Sequence, residues 1–445
     1  MEVDEATNEA SLDHKIPLKP QRGYIDESVY RAIGTRLSLR QCYRENWTKH
    51  SKYWNRDHVR LYTLLRMLGF QDGDHVFKRF EREGVDDFWL PLNNAILKKI
   101  KSDSLPEFDD ELEFAKAQSY VMSDPQQMDE QNLVRPFFAR QYEQDKQRSR
   151  PRHRYIEHGI DFFTDEGQIG VGGSADVRRF RHETSGKDFA CKRLLRRTNP
   201  NLKDLKDQRN RLESFKKEID ALKELQYHRH VVSLVASFTE LESFSLILDP
   251  IADQVLLDLL KRTDLLSEQD VATLYNSFNC LATALQFLHG KNIRHKDIKP
   301  SNILLGDGRV LLCDFGISHK WTDSDNGTTE GVTSFTHRYA APEVLRWDAS
   351  RNSTTDIWSL GCVFLEVLSV VKGFSFNYIL EGNGLSYGSF GEHEMAAWSK
   401  KIDVLSDDTV HNLPMIWVLK NGRLQAIHKD KSLQLIRCGM TRSND

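Results

Sequence analysis

The chain has 445 residues, and its 62 basic and 65 acidic side chains leave a net charge of −3 at neutral pH. That balance argues against nucleic-acid binding through bulk positive charge. Hydrophobic residues make up 39% and charged residues 29% of the chain, as in ordinary globular proteins. The length exceeds what one compact core usually organises, so we expect two domains or one domain with a long extension.

Cysteine spacing, the amino terminus and the apolar runs indicate the cellular compartment of the protein. The six cysteines are scattered, without a C-x-x-C pair or zinc-type spacing, so we expect reduced thiols in a reducing compartment. The acidic amino terminus, Met1 to Glu5, is unlike a secretory or mitochondrial signal. The apolar run from Leu360 to Val371 is interrupted by Glu366, which favours a buried helix over a membrane span. These features predict an intracellular protein, cytoplasmic or nuclear, without a membrane partner.

The first third of the chain carries no catalytic constellation. Residues 1–25 are polar and aperiodic, which predicts disorder. Residues 26–145 are predicted to form a mostly helical extension, which is either a regulatory, partner-binding module or a segment that packs on the rest of the protein. Residues 146–156 are predicted to be a solvated basic linker, with a nuclear-localisation or acidic-partner signal as the alternative.

Apolar residues at helical spacing predict three helices in the extension. The first runs from Leu61 to Leu68, with Asn55 and Gly69 as its caps. The second stops near Gly84, and the third covers Leu112 to Met122.

Two short runs in the second half of the chain are the most informative part of the sequence. They read I-R-H-K-D-I-K-P-S-N-I-L-L and C-D-F-G, and they begin at Ile293 and Cys313. They resemble the catalytic and metal-binding loops of eukaryotic protein kinases, and the resemblance covers roughly the last two thirds of the chain. It implies an α+β, two-lobed fold with a β-rich small lobe and a helical large lobe.

The resemblance also implies domain bounds. The kinase domain would span residues 157–445, with the small lobe at about 157–249 and the large lobe at about 252–445. The match thins beyond Lys372, so we expect a carboxyl end that stops short of the usual lobe.

Each polar residue of the two runs has an implied role. Asp297 would accept or orient the hydroxyl proton of the substrate, and Lys299 would neutralise charge on the transferred phosphoryl group. Asn302 and Asp314 offer hard oxygen ligands, which suit magnesium rather than zinc. Lys299 and Thr336 resemble the serine/threonine class, which implies transfer of the ATP γ-phosphate to protein Ser/Thr hydroxyls.

Further residues are implied to contact ATP. Lys192 would grip its α- and β-phosphates, and Glu218 would orient Lys192, although a solvent-facing acid in a charged helix is the alternative for Glu218. A glycine-rich turn would bring backbone N–H groups close to the phosphates, although such hairpin turns are common. The implied nucleotide-contacting residues are Gly170, Val171, Gly172, Gly173, Ser174, Ala175, Val177, Ala190, Lys192, Asp249, Ile251 and Leu304.

There is one further match to the family pattern, and there are three departures from it. Asp356 matches the aspartate that braces the catalytic loop. Ala175 replaces the third glycine of the turn. Lys296 replaces the arginine with which most regulated members bind a phosphate, so we hypothesise that phosphorylation of residues 317–334 has a weak switching effect. Glu343 lacks a convincing arginine partner near the carboxyl end.

Two alternatives to a protein kinase stay open. A pseudokinase scaffold would bind nucleotide or partners without transfer; the carboxyl end and Ala175 favour it, and the intact polar residues disfavour it. A small-molecule kinase of related fold is disfavoured by Lys299, by Thr336 and by the run Ala341-Pro342-Glu343. The expected partners are ATP with magnesium, a protein substrate and a regulatory partner of the extension, and no nucleic acid is expected.

Overall fold

The computed structural model divides the chain into two compact units. The first comprises Met1–Glu213 and Val235–Ile247, and the second comprises Ser214–Leu234 and Leu248–Asp445. Placement is described for residues 30–31, 33, 58–70, 75–93, 96–97, 111–123, 153–156, 161–171, 175–196, 202–225, 228–262, 266–306, 308–320, 336–341, 344, 353–372, 375–376, 416–420 and 423–427. The predictions for residues 1–25, 146–152, Gly172, Gly173, Ser174, 321–335 and Glu343 lie outside these ranges.

The first unit begins with the helices of the extension. They are α1 (Val59–Met67), α2 (His75–Glu83) and α3 (Glu111–Val121), with a 3₁₀ turn at Asp87–Trp89. The prediction of three helices is therefore confirmed, and Gly84 follows α2 with φ of +63°. The N-cap of α1 is His58, so the prediction of Asn55 as its cap was wrong.

A six-stranded sheet follows the extension in the chain. Its strands are β1 (His153–Tyr155), β2 (Phe163–Val171), β3 (Asp176–His182), β4 (Asp188–Leu195), β5 (Ser233–Thr239) and β6 (Ser243–Asp249). They lie in the order β1-β5-β6-β4-β3-β2, with β2, β3 and β4 antiparallel and β1 parallel to β5. The sheet encloses an apolar cluster that includes Phe163, Phe189 and Ile247.

Strand β1 corrects the predicted linker. Residues 153–155 belong to the sheet, where they pair with residues 237–239 of β5. The backbone N–H of Ile156 continues this pairing by donating to Thr239 O at 2.9 Å. The described extension packs on this strand: Ser123 and Tyr155 exchange hydrogen bonds of 2.7 and 3.0 Å. Arg196 Nη2 donates to Trp89 O at 2.6 Å. The extension and the sheet therefore share one folded unit.

Helix α4 (Leu202–Glu224) leads into the second unit, whose described residues form helices and short strands. The elements that follow are β7 (Gln254–Val255), α5 (Leu256–Leu260), α6 (Glu268–Gly290), β8 (Ile293–Arg294), β9 (Ile303–Gly306), β10 (Arg309–Leu312), β11 (His319–Lys320), α7 (Thr354–Val371), β12 (Ile416–Lys420) and β13 (Arg423–Ile427). Short 3₁₀ turns lie at Pro300–Asn302 and His337–Tyr339. Strands β9 and β10 pair with each other, β9 also pairs with β7, and β8 pairs with β11. A β-rich and a helical part are present as predicted.

Helices α6 and α7 form the support of the second unit. A capping box starts α6, because Ser267 and Asp270 bond each other's backbone N–H groups. By length and composition α7 could cross a membrane, but most of it is buried in protein. It carries Asp356 and Glu366, each 1% exposed. The interpretation of α7 as a core helix accords with this burial.

Candidate active site

The loop after β8 is held by one buried carboxylate of α7. Asp356 accepts the backbone N–H of His295 on Oδ2 at 2.9 Å and that of Lys296 on Oδ1 at 2.8 Å. His289, in the last turn of α6, adds a bond of 3.0 Å from Nε2 to Asp356 Oδ2. Burial by itself raises the pKa of Asp356, but the bond and charge of His289, with smaller contributions from His295 and the Lys296 N–H, lower it below its ordinary value. Asp356 therefore braces this loop, as expected.

Four polar side chains converge at the end of this loop. Thr336 Oγ1 donates to Asp297 Oδ1 at 2.8 Å and accepts from Lys299 Nζ at 3.0 Å. Lys299 Nζ also lies 2.7 Å from Asp297 Oδ2. Asn302 Nδ2 donates to the same Oδ2 at 3.0 Å and to the Asp297 carbonyl at 2.8 Å. The carboxylate of Asp297 is thereby fixed through both oxygens, and we call these four residues the polar cluster.

The second run folds back against the polar cluster. The N–H of Cys313 donates to Asn302 O at 3.0 Å, and His295 Nε2 lies 2.9 Å from Cys313 O. Phe315 is fully buried, with its ring centroid 4.9 Å from that of His295. Asp314 stands between them with φ of +65°, in the left-handed region that most residues avoid. Contacts on both sides thus fix the loop that presents Asp314.

The donor set near Asp297 fits magnesium. Because Asn302 Nδ2 is turned to Asp297, the amide oxygen is the Asn302 atom left to face a cation. Asp314 offers a carboxylate. Within the described residues there is no group of three His, Cys, Asp or Glu side chains that could hold a metal by itself. Two hard oxygen ligands suit magnesium, which typically keeps waters and binds substrate phosphates as well.

In the first unit the sheet register aligns several residues implied to bind nucleotide. Val177 on β3 pairs with Lys192 on β4 and with Gly170 on β2. Side chains paired across antiparallel strands share one face, so Val177 and Lys192 lie side by side. Ala190 lies two positions before Lys192 and therefore on the same face. Ala175 is buried, and Val171 is the last residue of β2.

The remaining nucleotide candidates lie in the second unit. Asp249 ends β6 and is buried, Ile251 is half-buried, and Leu304 lies on β9 opposite Val255 and Leu311. At the end of β9, a Cβ on Gly306 would lie only 3.3 Å from Ile251 O. Strand β9 therefore approaches the backbone of the segment after β6 so closely that a side chain at residue 306 would have to push that backbone aside, a signal that the sequence interpretation missed.

The structure shows the surroundings of two acids, Glu218 and Glu366. Glu218 on α4 is 4% exposed, so the alternative of a solvent-facing acid was wrong. Glu366 on α7 pairs with Arg338, whose Nε and Nη2 each lie 2.7 Å from Glu366 Oε1. Tyr339 adds a bond of 3.1 Å.

The Arg338–Glu366 pair fastens the turn that follows Thr336 to the core helix. Burial raises the pKa of Glu366, against the lowering effect of Arg338. The sequence interpretation missed this pair. A glutamate inside an apolar helix was the available signal, since a buried carboxylate calls for a cation.

Comparisons with known proteins agree with this geometry. Residues 163–383 match the family model described as protein kinase domain. The chain is 31% identical over 217 residues to the serine/threonine-protein kinase PEPKR2 of Arabidopsis thaliana, covering 48% of this chain and 42% of that protein. It is 30% identical over 210 residues to the liver/testis phosphorylase b kinase gamma catalytic chain of Bos taurus, covering 45% and 49%. It is 31% identical over 205 residues to cyclin-dependent kinase-like 4 of Mus musculus, covering 45% and 55%. The chain thus spans about half the length of these relatives.

Proposed function

Through residues 163–383 the chain belongs to the eukaryotic protein kinase family, serine/threonine class, and from this premise we propose that it transfers the γ-phosphoryl group of ATP to protein serine and threonine hydroxyls. The observation that carries the proposal is the polar cluster. A carboxylate, an ammonium, an amide and a hydroxyl meet within 3.0 Å contacts, although Thr336 lies 39 positions after Asp297. A merely structural loop does not require a lysine paired with a partly exposed aspartate.

The proposed chemistry follows from the charges of the polar cluster. A substrate hydroxyl held against Asp297 points its lone pair at the γ-phosphorus. As the new O–P bond forms and the bond to the β-phosphate oxygen breaks, the hydroxyl proton passes to the Asp297 carboxylate and ADP leaves. The ammonium of Lys299 stands beside the transferred group and offsets its negative charge. Most of the acceleration comes from positioning, because the transition state is loose.

Asn302 and Asp314 would hold magnesium, which neutralises phosphate charge when it is bound. Asn302 also has a second task, because its amide N–H groups fix Asp297 from the side opposite Thr336. One residue therefore links the proposed metal position to the proposed base. Lys192 is proposed to bind the α- and β-phosphates from its place beside Val177.

Transfer of labelled phosphate to a basic test protein checks the proposal. Asp297→Asn keeps the size of the side chain but removes its charge, and we expect a roughly 10²–10⁴-fold loss of rate. Asp258→Asn, at an exposed position on α5, is the matched control and should transfer phosphate like the natural chain. If the natural chain transfers phosphate no faster than Asp297→Asn, the proposed activity is refuted and the pseudokinase scaffold is favoured instead.

A further inference from the structure

Ser214 joins helix α4 to the metal-binding loop through a contact outside the polar cluster. Its Oγ donates to Gly316 O at 2.6 Å, and the two residues are 102 positions apart in sequence and belong to the second unit. Ser214 lies one turn before Glu218, so both side chains are on the same face of α4. The helix that carries Glu218 is therefore tied directly to the backbone beside Asp314.

Gly316 brings three polar side chains close to one point. A Cβ built there would lie 2.8 Å from Ser214 Oγ, 3.5 Å from Asp314 Oδ1 and 3.8 Å from Glu218 Oε2. The first distance is shorter than real Cβ contacts, so the loop can approach α4 only because residue 316 has no side chain. Two carboxylates thus border the same glycine, and the Ser214 hydroxyl is the donor that bonds its carbonyl.

The rest of the loop is fixed at both sides of this tie. His295 Nε2 holds Cys313 O at 2.9 Å, and the N–H of Ser318 donates to Phe315 O at 3.0 Å to close a turn. Gly316 lies inside that turn, with its carbonyl directed at Ser214. A change in the position of α4 is therefore transmitted to the backbone next to Asp314.

We propose that Ser214 is a positioning residue that holds loop 313–318 against α4 and orients the Asp314 carboxylate for magnesium and nucleotide. The proposal rests on the proposed function, because that function gives Asp314 its metal. The hydroxyl of Ser214 acts through its hydrogen bond to Gly316 O. Its loss leaves the chemical groups of the site intact but frees the loop that presents one of them.

Ser214→Ala tests the proposal through the magnesium requirement. The probe is ADP with increasing magnesium, read as a thermal shift, and phosphotransfer is measured over the same magnesium range. We expect the half-saturating magnesium concentration to rise roughly three- to tenfold, as loss of one neutral hydrogen bond predicts. Ser214→Thr restores the hydroxyl and should recover most of the effect. Ser277→Ala is the matched control, because that buried hydroxyl bonds the Leu274 carbonyl of its own helix.

A double substitution sharpens the test. Gly316→Ala alone should weaken magnesium-ADP binding, because its methyl group meets Ser214 Oγ. In the double variant with Ser214→Ala, the methyl group no longer meets Ser214 Oγ. The loss of magnesium-ADP binding in the double variant should therefore be smaller than the sum of the losses in the two single variants. Independent effects of the two substitutions would overturn the direct contact.

The outcomes separate this proposal from the proposed function. An unchanged magnesium requirement in Ser214→Ala, with an active natural chain, overturns the positioning role and leaves the kinase activity standing. A natural chain that binds magnesium-ADP but transfers nothing overturns the activity, and a raised requirement in Ser214→Ala then still supports the tie. No shift with magnesium-ADP in the natural chain overturns both. If Ser214→Ala does not fold, Ser214→Cys, of similar size and with a weaker donor, gives the same comparison.

Discussion

Two buried aspartates, one in each unit, each accept two successive backbone N–H groups, but their pKa values are shifted in opposite directions. Asp87 in the first unit accepts the N–H of Arg60 on Oδ2 at 3.0 Å and that of Leu61 on Oδ1 at 2.8 Å. Asp356 in the second unit likewise uses one oxygen for each of two successive N–H groups. Burial raises the pKa of Asp87 to about 7, whereas the pKa of Asp356 is lowered. Two aspartates with the same pattern of backbone hydrogen bonds therefore differ in the pH at which they ionise.

The difference comes from the neighbouring groups that lower each pKa. Asp356 has His289 at 3.0 Å as a direct partner. Near Asp87, the Arg60 guanidinium is engaged elsewhere: it donates to Val121 O and lies 4.3 and 4.8 Å from the ring centroids of Tyr30 and Tyr155. For Asp87, the two N–H groups and the charge of Arg60 lower the pKa by less than burial raises it. For Asp356, the bond and charge of His289, together with smaller contributions, outweigh burial.

Removing the better-supported carboxylate should have the largest effect. In Asp356→Asn a single amide oxygen must serve three donors, so buried N–H groups lose their acceptor. We expect a stability loss on the order of 3–5 kcal/mol and a loss of phosphotransfer of about 10²-fold or more, because the loop carrying Asp297 is released. Urea unfolding and initial rates measure this, with the exposed Asp258→Asn as control. Near-natural rates in Asp356→Asn would contradict the bracing role.

Asp87→Asn should have the next largest effect, and it should depend on pH. Asp87 ionises near its ordinary pKa of 3.8 in the unfolded chain but near 7 in the fold, so its ionisation costs stability as pH rises from about 4 to about 7. Asn does not titrate, so the stability difference between the two chains should change by on the order of 2–4 kcal/mol across that interval. Unfolding curves at several pH values check this, with the exposed Asp207→Asn as control. A difference independent of pH would refute the raised pKa.

The smallest effect should come from making Asp356 resemble Asp87. His289→Gln can still donate a hydrogen bond but carries no charge. Because the lowered pKa of Asp356 gives stability that is lost as pH falls through it, we expect acid unfolding to begin at higher pH. The loss at neutral pH should be about 1 kcal/mol. Acid titration followed by circular dichroism measures the midpoint, and the exposed His75→Gln is the control. An unmoved midpoint would assign the lowered pKa to the backbone N–H groups instead.

Local signals made much of the fold predictable. Residues three or four positions apart decide where a helix is apolar and where it is capped, so the three extension helices could be predicted from periodicity. The cap of α1 could not be predicted in this way, because the N–H groups at the start of the helix bond Asp87, which lies 26 positions after Leu61. Strand β1 was missed for the same reason: its partner β5 lies about eighty positions later, and a three-residue strand has no period of its own.

The candidate site divides in the same way. The spacing of Asp297, Lys299 and Asn302 decides which side chains share one loop, and their chemistry can be read from the residue types alone. The short distances from Thr336 to Asp297 and Lys299 needed the fold, as did the burial of Glu218.

By itself the sequence determined the order of the motifs, the helices with local caps and the kind of chemistry that the polar residues can perform. The tertiary structure decided which distant groups meet: Arg338 with Glu366, Ser214 with Gly316, and Asp87 with the start of α1. The physical reason is that these contacts join backbone or buried charge across long sequence separations. Their partners are set by topology and by the cost of leaving a buried polar group unpaired, and neither appears in the spacing of residues along the chain.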